Sequence, residues 1–151
     1  MSVSVASPDD LLALAGSDLG TSPWVEVTQA AIDGFADATG DHQWIHVDVE
    51  RARGGPFGGT IAHGYLTLAM IIPLWSELLV VEGASMAVNY GLDRVRFPAP
   101  VPTGSRIRAS GRLAEVEAVP GGVQVVADIV VECDAATKPA CVAKVIFRFY
   151  S

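Results

Sequence analysis

The chain has 151 residues, half of them apolar and 18% charged, with a formal charge of −7 at neutral pH. Such a length and composition fit one globular domain with its own core and exclude a disordered chain. The acidic balance excludes a general nucleic-acid binder, and the most apolar stretch, 65–81, is short for a membrane span and carries Pro73, Ser76 and Glu77.

Ser7-Pro8-Asp9-Asp10 predicts a helix start: a capping serine, proline at the first position and acids in the first turn. The two aspartates also interrupt an N-terminal apolar stretch that no basic residue precedes, so no secretory signal is expected. Gly16 ends this short helix, and 24–27 reads as a brief strand. Thr28 then caps a helix to about residue 38, with Ile32, Phe35 and Ala36 on its buried stripe and Gly40 as the stop. From 41 to 62 the periodicity fails. Residues 48–51 suit one helical turn, but Gly54, Gly55, Pro56, Gly58 and Gly59 make this segment mostly loop. Loops of this length in compact domains carry function or are disordered, and Trp44, Phe57 and the flanking histidines favour function. Residues 63–80 predict the central helix. It is apolar nearly all round and so requires cover on most sides, and Pro73 kinks it.

Everything after residue 84 reads as strand. The runs are 85–97 with Gly91 as a candidate bulge, 106–119, 123–133 and 140–150, and the last three are joined by short turns as an antiparallel meander. Val123, Val125, Ala127, Ile129, Val131 and Cys133 share one face, and Val145, Phe147 and Phe149 lie opposite Lys144, Ile146, Arg148 and Tyr150. One apolar helix before a long antiparallel sheet is an α+β layout, in which the sheet wraps one long central helix within a single domain over 1–151. Cys133 and Cys141 lack metal-like spacing and predict two buried thiols in a reducing cytoplasm. Charge is uneven: 12 acidic and 2 basic residues through Asp93 give −10, and 5 acidic and 8 basic from Arg94 onward give +3. A basic patch for a phosphate-bearing ligand (from Arg51, Arg53, Arg94, Arg96 and Lys138) and solvated strand faces both fit that pattern.

The groups that do chemistry concentrate in Thr39-Gly40-Asp41-His42-Gln43-Trp44-Ile45-His46 and Ile61-Ala62-His63-Gly64. On a continuous helix Asp41 and His46 would lie about 140° apart, so they converge only if the chain between them is irregular, which the Gly40 stop allows. A carboxylate and an imidazole meeting on one water form a general acid–base pair. With the helix starting near His63, the Gly64 N–H has no intrahelical partner, and the missing side chain lets a carbonyl oxygen approach it as in an oxyanion hole. His42 and His46 have the four-residue spacing of a metal-binding helix face, but Gly40 and the missing glutamate pattern argue against a helix there, and no metal is expected. His63 is a structural residue at the helix start or a substrate contact. Asn89 and Tyr90 line a substrate pocket or simply sit in a strand. Trp44, Trp75 and Phe57 border such a pocket, and core packing explains Trp75 as well.

These segments resemble the R-specific enoyl-CoA hydratases within the MaoC-like dehydratases. That family carries an aromatic residue, a short gap, Gly-Asp-x-Asn-Pro-aliphatic-His, and a downstream His-Gly that opens the core helix. The matching residues are Phe35, Gly40-Asp41-His42-Gln43-Trp44-Ile45-His46 and His63-Gly64, and Arg96-Phe97-Pro98-Ala99-Pro100-Val101 is similar to the family's Arg-Phe-x-x-Pro-Val strand end. The resemblance implies a hot-dog fold, a homodimer with acyl-CoA at the subunit interface, and no metal or organic cofactor. It implies that Asp41 and His46 activate water and that Gly64 holds the thioester oxygen; Gln43, Trp44, Phe57, His63, Asn89 and Tyr90 are the candidate substrate contacts. The implied reaction is reversible addition of water to trans-2-enoyl-CoA, giving (R)-3-hydroxyacyl-CoA. A thioesterase of the same fold and a non-catalytic acyl-CoA-binding partner subunit are the alternatives. Gln43-Trp44 stand where the family usually has Asn-Pro, a variant similar to its nodulation-protein-N-like branch.

Overall fold

The computed structural model describes residues 2–151. A short strand, β1 (Val3–Val5), precedes the first expected helix, which forms as a 3-10 helix over Pro8–Leu14. The Asp10 carboxylate accepts the Ser7 N–H at 2.9 Å there. Two further strands, β2 (Asp18–Thr21) and β3 (Val25–Glu26), lead to α1 (Gln29–Thr39). The α1 boundaries follow the capping signals. Thr28 Oγ1 accepts the Ala31 N–H at 3.1 Å, and Gly40 adopts φ 80° and returns its N–H to the Ala36 carbonyl.

The segment 41–62 carries more helix than its sequence suggests. It contains α2 (Trp44–Val47) and α3 (Val49–Arg53), the second capped by Asp48, whose carboxylate accepts the Arg51 N–H at 3.1 Å. A four-residue helix is too short to display a period, and so α2 left no pattern to read.

The central helix is shorter than 63–80 and broken: α4 (Gly64–Ala69) and α5 (Ile71–Ser76) join at Met70. Pro73 has no N–H to offer the carbonyl four residues back, so the ladder is interrupted there. The chain then leaves the helix, and β4 (Leu79–Val81) pairs in parallel with β1. Within the chain the helix is also covered on one side only. Leu66, Ile71, Leu74 and Trp75 are buried, whereas Tyr65, Ala69, Ile72 and Pro73 are exposed.

The main sheet is built from β5 (Met86–Arg96), β6 (Arg106–Val119), β7 (Gly122–Cys133) and β8 (Cys141–Tyr150), in the order β2-β6-β7-β8-β5 with β3 also on β6, all antiparallel. The alternation read from the sequence decides its faces: Val123, Val125, Ala127, Ile129, Val131 and Cys133 are buried, as are Val145, Phe147 and Phe149. In β5 the pairing shifts between Asn89 and Gly91, so the extra residue is Tyr90 rather than the expected Gly91. Gly111 of β6 lies where the helix crosses. A Cβ there would stand 3.1 Å from Leu78 Cδ1 and 3.4 Å from Trp75 Cζ3, and its absence lets helix and sheet close up. The result is the hot-dog architecture, an antiparallel sheet wrapped on a central helix. Cys133 and Cys141 are buried free thiols, and among the described residues no helix is long and apolar enough to cross a membrane.

Candidate active site

Three chain segments meet at the start of α4. Asp41 leaves the Gly40 turn and is exposed, and His46 sits in α2 and is buried. Its Nδ1 lies 2.7 Å from the Ile61 carbonyl oxygen. A carbonyl only accepts, so Nδ1 carries the proton and Nε2 of the neutral ring keeps its lone pair for another donor. His63, 2% exposed, directs Nε2–H to the Asp41 carbonyl at 2.9 Å. Its ring stacks on His46 with centroids 3.9 Å apart and planes at 23°, and Phe35 packs tilted against it with centroids 4.8 Å apart. Ligand atoms of Asp41, His46 and His63 all lie within 4.8 Å of one another. Gly64 opens α4, so its N–H has no intrahelical partner, and with Tyr65 and Phe97 it completes the border of an open cleft of about 290 Å³.

The irregular chain required between Asp41 and His46 is present as the His42-Gln43 entry to α2. The cluster also has the residue types of a metal centre, but its geometry does not suit one. A metal–imidazole bond lies along the nitrogen lone pair, in the ring plane, at about 2.0–2.1 Å. Two rings stacked within 23° of parallel do not direct their lone pairs at one shared ion. The arrangement suits proton transfer better. One imidazole is fixed in a single tautomer, a carboxylate stands beside it, and an unpaired amide faces the same cleft.

The remaining sequence candidates divide. Phe57 borders a second cavity of about 330 Å³ that also touches His46, Gly64, Ala62, Thr67 and Phe97. Gln43 is exposed at the N-cap of α2, with its own N–H 3.4 Å from Asp41 Oδ1. Trp44 lies under the glycine-rich loop instead of in the cleft. A Cβ on Gly55 would stand 2.9 Å from its ring, and the Arg51 guanidinium covers it at 4.3 Å. Asn89 borders a separate apolar groove of about 200 Å³, together with Leu68, Ile72, Leu92 and Phe147. Tyr90 is exposed on the β5 bulge beneath Arg148, at 3.6 Å. Trp75 packs on Phe147 at 4.9 Å, inside the core. His42 faces away from the cluster and bonds Asp37 at 2.9 Å, a contact that raises its pKa above 6.5. Tyr65 and Phe97 border the cleft without belonging to the predicted site, and their only signal in the sequence is position, beside Gly64 and within the Arg-Phe-x-x-Pro-Val segment.

A family profile described as "MaoC like domain" matches residues 11–133. The chain is 55% identical to "3-hydroxyacyl-thioester dehydratase Z" of Mycobacterium tuberculosis over 141 residues, covering 93% of each. It is 44% identical to "Nodulation protein N" of Rhizobium meliloti over 140 residues, covering 91% of this chain and 87% of that protein. Among solved structures, an (R)-hydratase from A. caviae superposes with a TM-score of 0.71 at 16% identity, over 88% of this chain and 94% of that one, a likeness of fold.

Proposed function

From the premise that this chain belongs to the MaoC-like dehydratase family, in the branch that includes nodulation protein N, we propose that it is an R-specific enoyl-CoA hydratase. It adds water reversibly to a trans-2-enoyl-CoA and releases the (R)-3-hydroxyacyl-CoA. The observation that carries this reading is the free Nε2 of His46, fixed by the Ile61 carbonyl, facing the same cleft as Asp41 and the Gly64 amide.

Hydration needs three things at once: a water stripped of a proton, an electron-poor C3, and a proton for C2. His46 Nε2 and the Asp41 carboxylate hold the water, and the dyad takes one of its protons as oxygen bonds to C3. The C2–C3 π pair moves toward the thioester, and the negative charge on its oxygen is met by the Gly64 N–H. The proton held by the dyad then passes to C2, so that water is added across the double bond and nothing else is consumed. No metal or organic cofactor enters this scheme; coenzyme A is part of the substrate. Phe57 and Phe97 supply apolar walls beside the reacting carbons. The two buried free thiols fit a reducing compartment, and the proposed location is the cytoplasm.

The proposed assembly is a homodimer. Strand β5 pairs only with β8 among the described residues, and Met86, Tyr90 and Leu92 on it are exposed. The uncovered strip of α4–α5 at Ala69 and Ile72 borders the same groove as Leu92. An 11-residue open edge next to an apolar strip is a surface that soluble proteins cover, and a second copy related by a two-fold axis covers both at once. Light scattering is expected to give twice the 15.8 kDa chain mass.

The reaction is tested by the loss of enoyl absorbance with crotonyl-CoA and a longer enoyl-CoA, coupled to stereospecific detection of the 3-hydroxyacyl product. The expected result is consumption with R product, reduced about a hundredfold or more in Asp41→Asn and His46→Gln. Free thiol without hydration would make the protein a thioesterase, and tight acyl-CoA binding without turnover would make it a binding subunit.

A further inference from the structure

Outside the residues that border the cleft, the His46 main chain is tied to a compact polar cluster to which the scheme above assigns no part, and Gln29, Thr60 and Thr103 of that cluster line a separate cavity of about 410 Å³ with Phe57. Gln29, the first residue of α1, extends between three other segments. Its Nε2 donates to the His46 carbonyl at 2.8 Å and to Asp33 Oδ1 at 2.8 Å. Its Oε1 accepts from Thr60 Oγ1 at 2.5 Å, with Thr103 Oγ1 at 3.3 Å, and the two threonine hydroxyls are 2.7 Å apart. The amide orientation follows from its partners, since the His46 carbonyl and the Asp33 carboxylate both accept and only the NH₂ end can face them. Thr60 is buried, and its neighbour Ile61 contributes the carbonyl that fixes the His46 ring. The Ile61 N–H in turn bonds the Ile45 carbonyl at 3.0 Å, and Thr103 N–H bonds the Thr60 carbonyl at 3.0 Å.

His46 is therefore held from two directions, its ring by Ile61 and its main chain by Gln29, and both holds run through the 60–61 segment. We infer that Gln29 is a positioning residue for the His46 base: through its amide it fixes α2 against Thr60-Ile61 and so keeps the His46 ring in the Nδ1–H tautomer with Nε2 turned to the cleft. This inference rests on His46 being the base. It assigns Gln29 no contact with substrate, so its loss acts on turnover and not on binding.

The test is Gln29→Met, which keeps the length and apolar stem of the side chain and removes every donor and acceptor, alongside Thr103→Val, which loosens the cluster while leaving the Gln29–His46 bond. Steady-state hydration and the ¹⁵N signals of the His46 ring are read on the full-length protein. Gln29→Met is expected to lower kcat by about tenfold or more with KM within about twofold, and to convert a single Nδ1–H signal into a tautomer mixture. Thr103→Val is expected to shift both readouts in the same direction by less. Wild-type kcat and an unchanged tautomer in Gln29→Met would overturn the inference, as would a loss confined to KM. If Gln29→Met fails to fold, Thr103→Val decides alone, and an unchanged tautomer there counts against the clamp. The ring signals are independent of turnover, so a wild type that hydrates no enoyl-CoA defeats the functional reading while leaving the tautomer result to judge the clamp.

Discussion

Replacing Gly64 by alanine separates a glycine needed for chemistry from one needed for packing. A Cβ built there stands 3.0, 3.1 and 3.3 Å from three ring carbons of Phe97, short of ordinary contact by a few tenths of an ångström. Phe97 is 40% exposed and has room to retreat, so the strain stays below the roughly 1–3 kcal/mol of an overpacked core. Gly64 is not among the positive-φ glycines, so alanine fits the backbone and gains up to about 1 kcal/mol of helix propensity. These terms oppose each other at similar size, and stability is expected within about 1 kcal/mol of wild type. Activity responds differently. The new methyl stands beside the amide to which the proposed mechanism brings the thioester oxygen, and loss of one such donor costs about 2.7–4 kcal/mol, a factor of about 10²–10³ in kcat. Urea unfolding and initial rates on crotonyl-CoA give the two numbers. The companion variant Gly64→Ala/Phe97→Leu removes the crowding ring and should stay inactive. Activity restored in that double variant, or wild-type kcat in Gly64→Ala, would refute the carbonyl-binding role.

Other expectations follow from burial and charge. Burial pushes the Cys141 thiol up to about 11, so Ellman's reagent should label neither cysteine promptly in the native protein and both in denaturant; prompt native labelling would contradict the core described above. The Asp37 carboxylate holds His42 above 6.5. The associated stability is thus fully present below pH 6.5 and is lost as pH rises through the folded-state value. An NMR titration should place the His42 midpoint above 6.5 and move it back toward 6.5 in Asp37→Asn; no movement would remove that carboxylate as the cause. Gly111→Ala, whose Cβ meets the buried Leu78 and Trp75, should destabilise by about 1 kcal/mol or more in urea unfolding, whereas a gain in stability would show that the helix can yield.

The parts of the fold legible in the sequence are those whose cause is local. Thr28 and Gly40 bound α1 because a capping hydroxyl and a left-handed glycine act within one turn. The alternation from Val123 to Cys133 predicts which side chains are buried because a strand's period is two. Strands β1, β2 and β4 escaped because each has three or four residues and exists through its neighbour: β1 and β4 are 3-residue segments held by one another. The central helix misled for a related reason. Its apolar residues run all round, and the sequence does not distinguish a face buried in its own chain from the strip at Ala69 and Ile72 left open.

The candidate site divides along the same line. Asp41, His46 and Gly64 carry their chemistry in the side chain, or in the lack of one, and so the motif is readable. What fixes the tautomer of the proposed base His46 is a main-chain carbonyl 15 residues away, and what holds its own main chain is Gln29, 17 residues away. A carbonyl has no sequence signature, and a glutamine at a helix start looks like any surface amide. The Gln43-Trp44 pair shows the converse. As a departure from Asn-Pro it draws attention to the cleft, yet Trp44 is spent on the loop, where only a glycine at 55 lets its ring pack. Its ring packs against Gly55, in the loop that leads to Phe57 on the wall of the cavity beside His46. A change that looks catalytic from its position in the motif thus packs on the loop, apart from the residues that border the cleft.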